Sequence, residues 1–240
     1  MNERTITSLH ATKTGKISTK WESYLPYYDR LFGLLQACRI SLLEIGVQNG
    51  GSLETWAEYF QAGQHFVGCD IDATCGLLAF DDPRIRVVVG DINEPLTFQK
   101  ISSISPAFDI IIDDGSHMSA DILRSFMTYF PMVKPGGLYI VEDAHSLYLD
   151  HYGGGILNES GACSFFKKLV DIIGFQFWSG QMSIATYLRT FFPFQSIPDF
   201  ILEGWIESIE FRNSIITINK SLVPGHEKLG MALVSGCCKL

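Results

Sequence analysis

Several things are scarce or missing in this sequence, and each absence narrows the function. No apolar run approaches the ~20 residues needed to cross a bilayer; unbroken stretches such as Leu77–Phe80 and Leu138–Val141 are far shorter. The leader MNERTITSLHATKTGK has charge but no apolar core after it, so no signal peptide is expected. No basic run occurs, and the formal charge is −8, from 18 Lys+Arg against 26 Asp+Glu. Nucleic-acid backbone binding relies on clustered Lys and Arg, so nucleic acid is not expected as a partner and a small neutral or cationic ligand fits better. Charged residues make up only 18% of the chain, which argues against a disordered, supercharged or coiled-coil sequence. The six cysteines form no C-x-x-C pair and no zinc-like spacing. Cys38 and Cys69 sit in apolar segments and read as small buried hydrophobes. The adjacent Cys237 and Cys238 read as tail chemistry. A reducing cytoplasm is the compartment this predicts.

A chain of 240 residues can bury a large core without a disulfide or zinc staple. Ser41–Val47, His65–Ile71, Ile85–Val89, Phe108–Ile112 and Leu138–Val141 are compact, rich in branched residues and apolar on both faces. Parallel strands covered by helices look like this. Helix candidates lie between them at Leu53–Gln61, Leu96–Ile101 and Ser119–Phe130, the last stopped by Pro131 and a KPGG turn at Lys134–Gly137. The alternation predicts an α/β fold: a Rossmann-like, doubly wound, mostly parallel sheet. Near the C-terminus, Ile206–Phe211 and Ser214–Asn219 read as an antiparallel hairpin joined through Arg212 and Asn213, after a helix at Cys163–Ile173. A single domain is expected over 1–240: a helical cover at 1–40, carrying Trp21, Tyr24, Tyr27, Tyr28 and Phe32, a core at 41–220 and a tail at 221–240.

Ligands of open parallel sheets bind beyond the carboxyl ends of the strands, and there this sequence gathers its chemistry. The first strand runs through Glu44 and Gly46 into Gly50, Gly51 and Ser52, where a helix begins. Such glycines admit close backbone approach, and the helix start presents free N–H groups; a plain tight turn explains them too. The spacing is G-x-x-x-G-G rather than the G-x-G-x-x-G of nicotinamide sites. Asp70 ends the second strand, placed either to accept ribose hydroxyls of an adenosyl ligand or to cap a helix, as Asp72 also is. Asp91, after the third strand, is placed for an adenine amino group or for a turn. The fourth strand continues into Asp113-Asp114-Gly115-Ser116-His117, and the fifth into Glu142-Asp143-Ala144-His145. If those strands are neighbours, four carboxylates crowd one rim and require a cation. All-oxygen donors favour a hard ion, magnesium, calcium or manganese, over zinc. His117, three residues past Asp114, is a candidate general base. His145, Tyr148 and His151 lie in a glycine-rich loop and read either as substrate contacts or as ordinary packing.

Taken together, LLEIGVQNGGSLETW, VGCDID, DPRIRVVVGDI, FDIIIDDGSH, PGGLYIVEDAHSLY and HYGGG resemble class I S-adenosylmethionine-dependent methyltransferases. More closely, the chain resembles the metal-dependent sugar O-methyltransferases of macrolide tailoring (mycinamicin type) and their cephalosporin-hydroxylase-like relatives. The resemblance covers about residues 18–175, and the IDDGSH and VEDAH pair is its most specific part. It implies that Asp114, Glu142 and Asp143 bind Mg2+ and that His117 is the base. It also implies that Glu44, Gly46, Ser52, Asp70 and Asp91 line the S-adenosylmethionine site, with Asp113 near the donor's amino-acid end; Gly50 belongs to the same loop. Catechol-type O-methyltransferases have a similar three-oxygen site, with a lysine in the role that His117 would take in this chain. One departure concerns the cover: relatives carry T-D-K and then a histidine, where this chain has Ser18-Thr19-Lys20-Trp21 and then Tyr24. Larger members carry an extra N-terminal domain, for which this chain has no room.

The expected reaction is methyl transfer to a hydroxyl of a small molecule, a sugar or natural-product moiety. Three other readings stay open: a different reaction on the same scaffold (hydroxylase- or cyclase-like), a nicotinamide dehydrogenase, disfavoured by the glycine spacing, and a non-catalytic S-adenosylmethionine-binding protein. The Phe-rich stretch Phe191-Phe192-Pro193-Phe194 suits an apolar acceptor, a subunit interface or plain core packing. A homo-oligomer is compatible with the family.

Overall fold

The computed structural model describes residues 4–194 and 196–236; Cys237 and Cys238 lie outside them. Seven strands form one sheet: β1 Ser41–Ile45, β2 His65–Asp70, β3 Ile85–Val89, β4 Phe108–Asp113, β5 Val133–Val141, β6 Ile206–Arg212 and β7 Ile215–Lys220. Their order is β3-β2-β1-β4-β5-β7-β6. The first five pair in parallel, and β7 lies antiparallel between β5 and β6. The sheet is thus the doubly wound, mostly parallel one expected, with the hairpin as its antiparallel flank. No helix among the described residues is long and apolar enough to cross a membrane.

Side chains alternate across the sheet with period two. Leu43, Ile45, Val67, Ile111, Tyr139, Val141 and Ile218 point to one face, where they meet α5 (Ser119–Tyr129) and α6 (Ala162–Ile173) through Phe126, Phe165 and Phe166. Leu42, Phe66, Ile110, Ile112, Leu138 and Ile140 point to the other. That face is covered by α2 (Tyr24–Phe32) and α3 (Gly51–Tyr59), whose Tyr28, Phe32, Trp56 and Phe60 form a cluster of stacked and edge-on rings. The short α1 (Ile6–Ala11) packs on α2, and α4 (Pro95–Ile104) fills the crossover from β3 to β4.

Two expectations need correction. Lys134–Gly137 is not a turn ahead of β5 but part of it: pairing jumps from Phe108–Val133 to Ile110–Leu138, so the extra residues bulge while the strand continues. Cys38 is exposed in the turn before β1, whereas Cys69 is buried. Burial pushes the Cys69 thiol up to about 12 and that of Cys75 up to about 11, so both are inert hydrophobes.

Candidate active site

The strand order reverses between β1 and β4, and there a cavity of about 600 Å3 opens at the carboxyl ends of the strands. Its backbone geometry is fixed by Gly46. This residue has φ of 90°, and a Cβ there would stand 2.1 Å from the Asp114 carbonyl oxygen. Only glycine lets the β1 and β4 ends pass so closely. Gly50 is left-handed, closes against the Phe80 ring and sits just before α3. Asp70 holds the loop between them: Oδ2 accepts from the Val47 and Gln48 N–H groups at 2.7 and 2.9 Å, and Oδ1 from Asp72 N–H at 2.9 Å. Burial works to raise its carboxyl, but these three donors win and hold it below the ordinary aspartate range. Asp72, not Asp70, caps the short helix that follows, through Thr74 N–H at 2.8 Å. Asp91 accepts from Asn93 N–H at 2.8 Å in a turn of its own. Beside it, the buried Asn93 Oδ1 has no hydrogen-bond partner among the described residues.

The expected donor residues divide into two groups. Gly46, Ser52, Asp70, Asp91 and Asp113 line the cavity, whereas Glu44 and Gly50 stand behind its wall. Glu44 is fully buried, accepting from Ser52 Oγ at 2.6 Å and Trp56 Nε1 at 3.2 Å. Burial raises its carboxyl, against the pull of nearby Lys20. Asp113 turns inward under α5, where the Ser125 hydroxyl and Tyr139 OH (3.0 Å) donate to Oδ2. Burial raises this carboxyl too.

The acidic rim follows from strand register. Asp113 pairs with Val141, so Asp114 and Glu142 stand side by side, one residue past β4 and β5. Asp143 and His117 both adopt left-handed backbone, with φ of 49° and 57°, an uncommon state for residues other than glycine. The His117 loop is held by Ser146 Oγ donating to its carbonyl at 3.1 Å. One ligand atom from each of Asp114, His117 and Asp143 lies within 4.8 Å of the others. His117 Nε2 is 3.8 Å from Asp143 Oδ2. Glu142 falls outside that cluster. Of the glycine-rich loop, His145 Nδ1 bonds Ser214 Oγ at 2.6 Å and its ring meets Trp21 edge-on. Tyr148 lies under Lys167, and His151 packs on Tyr152.

The N-terminal cover reaches into this rim. Residues 17–21 line the cavity, and the Ile17 carbonyl packs so closely on Gly51 that a Cβ there would stand 2.2 Å from it. Lys20, with a side chain only 5% exposed, places Nζ 2.7 Å from Asp114 Oδ2 and 2.8 Å from both oxygens of Glu142, with Glu44 Oε1 at 3.8 Å. Burial opposes its charge, but the three carboxylates outweigh burial and hold the ammonium protonated, above the ordinary lysine range. Tyr28 OH donates to Glu142 Oε1 at 2.7 Å, while Trp21 Nε1 and Tyr24 OH donate to Asp143 Oδ1 at 2.8 and 2.9 Å. The segment is tied down upstream by Glu54, which accepts from Lys13 Nζ at 2.9 Å and Lys16 N–H at 2.8 Å.

Residues 43–144 match the family model described as a methyltransferase domain. The chain carries a methyltransferase domain. Over 165 residues it is 37% identical to the mycinamicin VI 2''-O-methyltransferase of Micromonospora griseorubida, covering 64% of this chain and 40% of that one. Over 164 residues it is 34% identical to an 8-demethyl-8-α-L-rhamnosyl tetracenomycin-C 2'-O-methyltransferase of Streptomyces olivaceus, covering 64% and 42%. The solved structure of the MycE methyltransferase of mycinamycin biosynthesis, in complex with Mg, SAH and mycinamycin VI, matches 96% of this chain and 56% of its own. Its TM-score is 0.73 and its identity 27%. The chain therefore spans less than half the length of these two curated relatives.

Within the methyltransferase domain, sequence reasoning found the acids and the histidine of the rim but missed the side chains that hold them. Lys20, Tyr28 and Trp21 come from the cover, more than ninety residues from their carboxylate partners. The one signal was the Ser18-Thr19-Lys20-Trp21 segment of the cover. The crowded acids do have a cation between them, and it is Lys20.

Proposed function

We propose that this chain is an S-adenosylmethionine- and Mg2+-dependent O-methyltransferase that acts on a hydroxyl of a small molecule, a sugar or natural-product moiety. The observation that carries the reading is the convergence of Asp114, His117 and Asp143 on the edge of the switch-point cavity. The cavity suits a donor of that class. It has the volume of a small-molecule site, a glycine at closest backbone approach, a helix start, and an acceptor atom on Asn93 still without a donor. Asp70 lines the cavity with its carboxylate oriented by three backbone N–H donors, placed at the strand end to accept from a ribose hydroxyl. Two carboxylates within reach of one point suit a hard divalent ion, and the imidazole beside them stays free to take a proton. Asp114 and Asp143 would hold it. Glu142, expected as a third ligand, stands beside Asp114, and Lys20 Nζ contacts both carboxylates.

When bound, the donor supplies an electrophilic methyl group and magnesium supplies Lewis acidity toward an acceptor hydroxyl. The protein's part is placement and proton transfer. His117 lines the cavity rim and would take the hydroxyl proton as the oxygen bonds the methyl carbon and the carbon–sulfur bond breaks, the donor leaving as its neutral thioether. Asp143, pinned by Trp21 and Tyr24, stands 3.8 Å from that imidazole and stabilises its charged form. No covalent enzyme intermediate is needed, so acceleration comes from orientation and charge stabilisation. The reading treats 1–240 as one unit in which the cover at 1–40 shapes the acceptor side.

Calorimetry tests it directly. S-adenosylmethionine is titrated in magnesium and then in EDTA, with NAD as control. Binding of the methyl donor with NAD silent supports the class; no donor binding in either condition overturns it. Product mass then separates methyl from oxygen transfer once hydroxylated acceptors are screened.

A further inference from the structure

The four tryptophans of the chain sit very differently. Trp56 is buried in the core, and Trp178 and Trp205 are half-buried, the first against the Phe175 and Tyr187 rings and the second beneath the Lys220 ammonium. Trp21 is 57% exposed, and it lines the cavity at the acidic rim. An exposed aromatic side chain is ordinary on a protein surface, but this one is held in place. Its Nε1 donates to Asp143 Oδ1 at 2.8 Å, and its ring meets His145 edge-on, with 6.0 Å between centroids and 88° between planes. His145 is fixed in turn by the 2.6 Å hydrogen bond between Nδ1 and Ser214 Oγ. With the polar edge engaged by Asp143, the part of Trp21 left open is apolar ring in a set orientation. Among the described residues no ring or cation besides His145 packs on it. Asp143 also ties this ring to the chemistry, since its other oxygen, Oδ2, stands 3.8 Å from His117 Nε2. Base and indole thus bracket one carboxylate, and an acceptor hydroxyl presented to His117 brings the rest of its molecule alongside Trp21.

We infer that Trp21 sets the regiochemistry of the reaction: its indole stacks on one face of a pyranose ring in the acceptor and so decides which of two adjacent hydroxyls reaches His117. The inference rests on the methyl-transfer reading above and deepens it, from a hydroxylated small molecule to a pyranose held in one orientation. The face of an aromatic ring is negative and attracts weakly positive C–H groups, and the two faces of a pyranose differ in the C–H groups they show. The hydroxyl that yields its proton to His117 forms the new oxygen–methyl bond as the methyl–sulfur bond breaks. Turning the ring over on Trp21 offers the neighbouring hydroxyl instead.

The test uses the whole chain with magnesium and methyl α-L-rhamnopyranoside, a small pyranoside with neighbouring ring hydroxyls. Binding to the protein loaded with S-adenosylhomocysteine is followed by saturation-transfer NMR, and turnover with S-adenosylmethionine by NMR of the methyl ethers formed. The wild type should saturate the C–H groups of one pyranose face and give one positional ether. Trp21→Leu removes the ring and Nε1 together. It should weaken pyranoside binding about three- to tenfold, the scale of a lost aromatic contact, spread the saturation over both faces and give a mixture of ethers. Trp21→Phe keeps a ring face and removes only the bond to Asp143, so the saturated face and the product should stay those of the wild type. Calorimetry with the methyl donor should give the same affinity in all three, which shows that the variants are folded. If the Leu and Phe variants lose affinity and selectivity together, Trp21 acts by holding Asp143 and the inference is overturned. It is overturned equally by a Leu variant with wild-type affinity and one ether, or by a wild type that binds the donor but not the pyranoside. A wild type that does not bind the donor overturns the methyl-transfer reading as well.

Discussion

The two sides of the cavity are built by different means. On the β1–β3 side the two aspartates are fixed by backbone close to them in sequence or on the next strand: Asp70 by Val47, Gln48 and Asp72, and Asp91 by Asn93. On the β4–β5 side the carboxylates are fixed by side chains from the N-terminal cover: Lys20 on Asp114 and Glu142, Tyr28 on Glu142, and Trp21 and Tyr24 on Asp143. A donor-binding side made of local turns depends on its own loop. The acceptor side depends on a separate segment staying in place, so the two should fail independently.

The sharpest way to separate them is Asp114→Ala. It removes a proposed metal ligand and a Lys20 partner, and it should abolish metal-dependent turnover while calorimetry still registers the methyl donor. Turnover that is equal with and without EDTA in the wild type would contradict the expectation. His117→Ala comes next, with turnover falling about a hundredfold or more, the usual scale for a lost general base, and donor affinity unchanged. From the other side, Asp70→Ala leaves Val47 and Gln48 N–H groups without their acceptor and should weaken donor binding by about tenfold; saturating donor should restore most of the turnover. An effect on turnover alone would show that the sides are coupled.

Smaller effects sharpen the picture of the cover. Tyr28→Phe deletes a buried hydrogen bond to Glu142 and should cost about 1–2 kcal/mol in denaturant unfolding. The Glu54 anchor gives a pH test. Burial tends to raise its carboxyl, but the Lys13 ammonium and the Lys16 N–H outweigh this and hold it below the ordinary glutamate range. A depressed acid contributes stability that is present above its unfolded pKa and is lost as pH falls through the folded value. Protection of the amides in residues 13–21, with the intrinsic pH dependence of exchange divided out, should therefore fall on acidification into that range while the sheet stays protected. Glu54→Gln should show the lowered protection already at neutral pH.

The same contrast explains what was legible in the sequence. Five parallel strands and the hairpin announce themselves through compact branched runs, because β1, β2, β4 and much of β5 are buried on both faces. Asp114, His117, Glu142 and Asp143 are legible because strand ends point to one rim once the strands are neighbours. The split of Asp113 from that rim is not, since it depends on which face residue 113 presents: it follows Ile111 down toward Ser125 and Tyr139. Lys20 reads, in sequence, as part of a cover that shapes substrate choice. Nothing local distinguishes a lysine that reaches a buried carboxylate from one that reaches water, because its hydrogen-bond partners lie 94 and 122 residues away. The KPGG segment misleads for a related reason: its turn chemistry is real, but the sheet absorbs it as a bulge.

The position of β7 between β5 and β6 bears on how the chain is made. The rim at Glu142 and Asp143 follows a strand whose outer edge is covered only by residues 215–220. The Ser214 carbonyl, at the hairpin turn, accepts from Ala144 N–H at 2.8 Å and stands 2.9 Å from the Tyr24 hydroxyl. During synthesis the first five strands emerge well before that hairpin, and until it arrives β5 is an open edge. The cover at residues 20–28 cannot reach its last partner either. Completion of the rim therefore waits on the hairpin: until residues 214–220 are in place, the outer edge of β5 and the Ala144 N–H lack the partners they have in the folded chain.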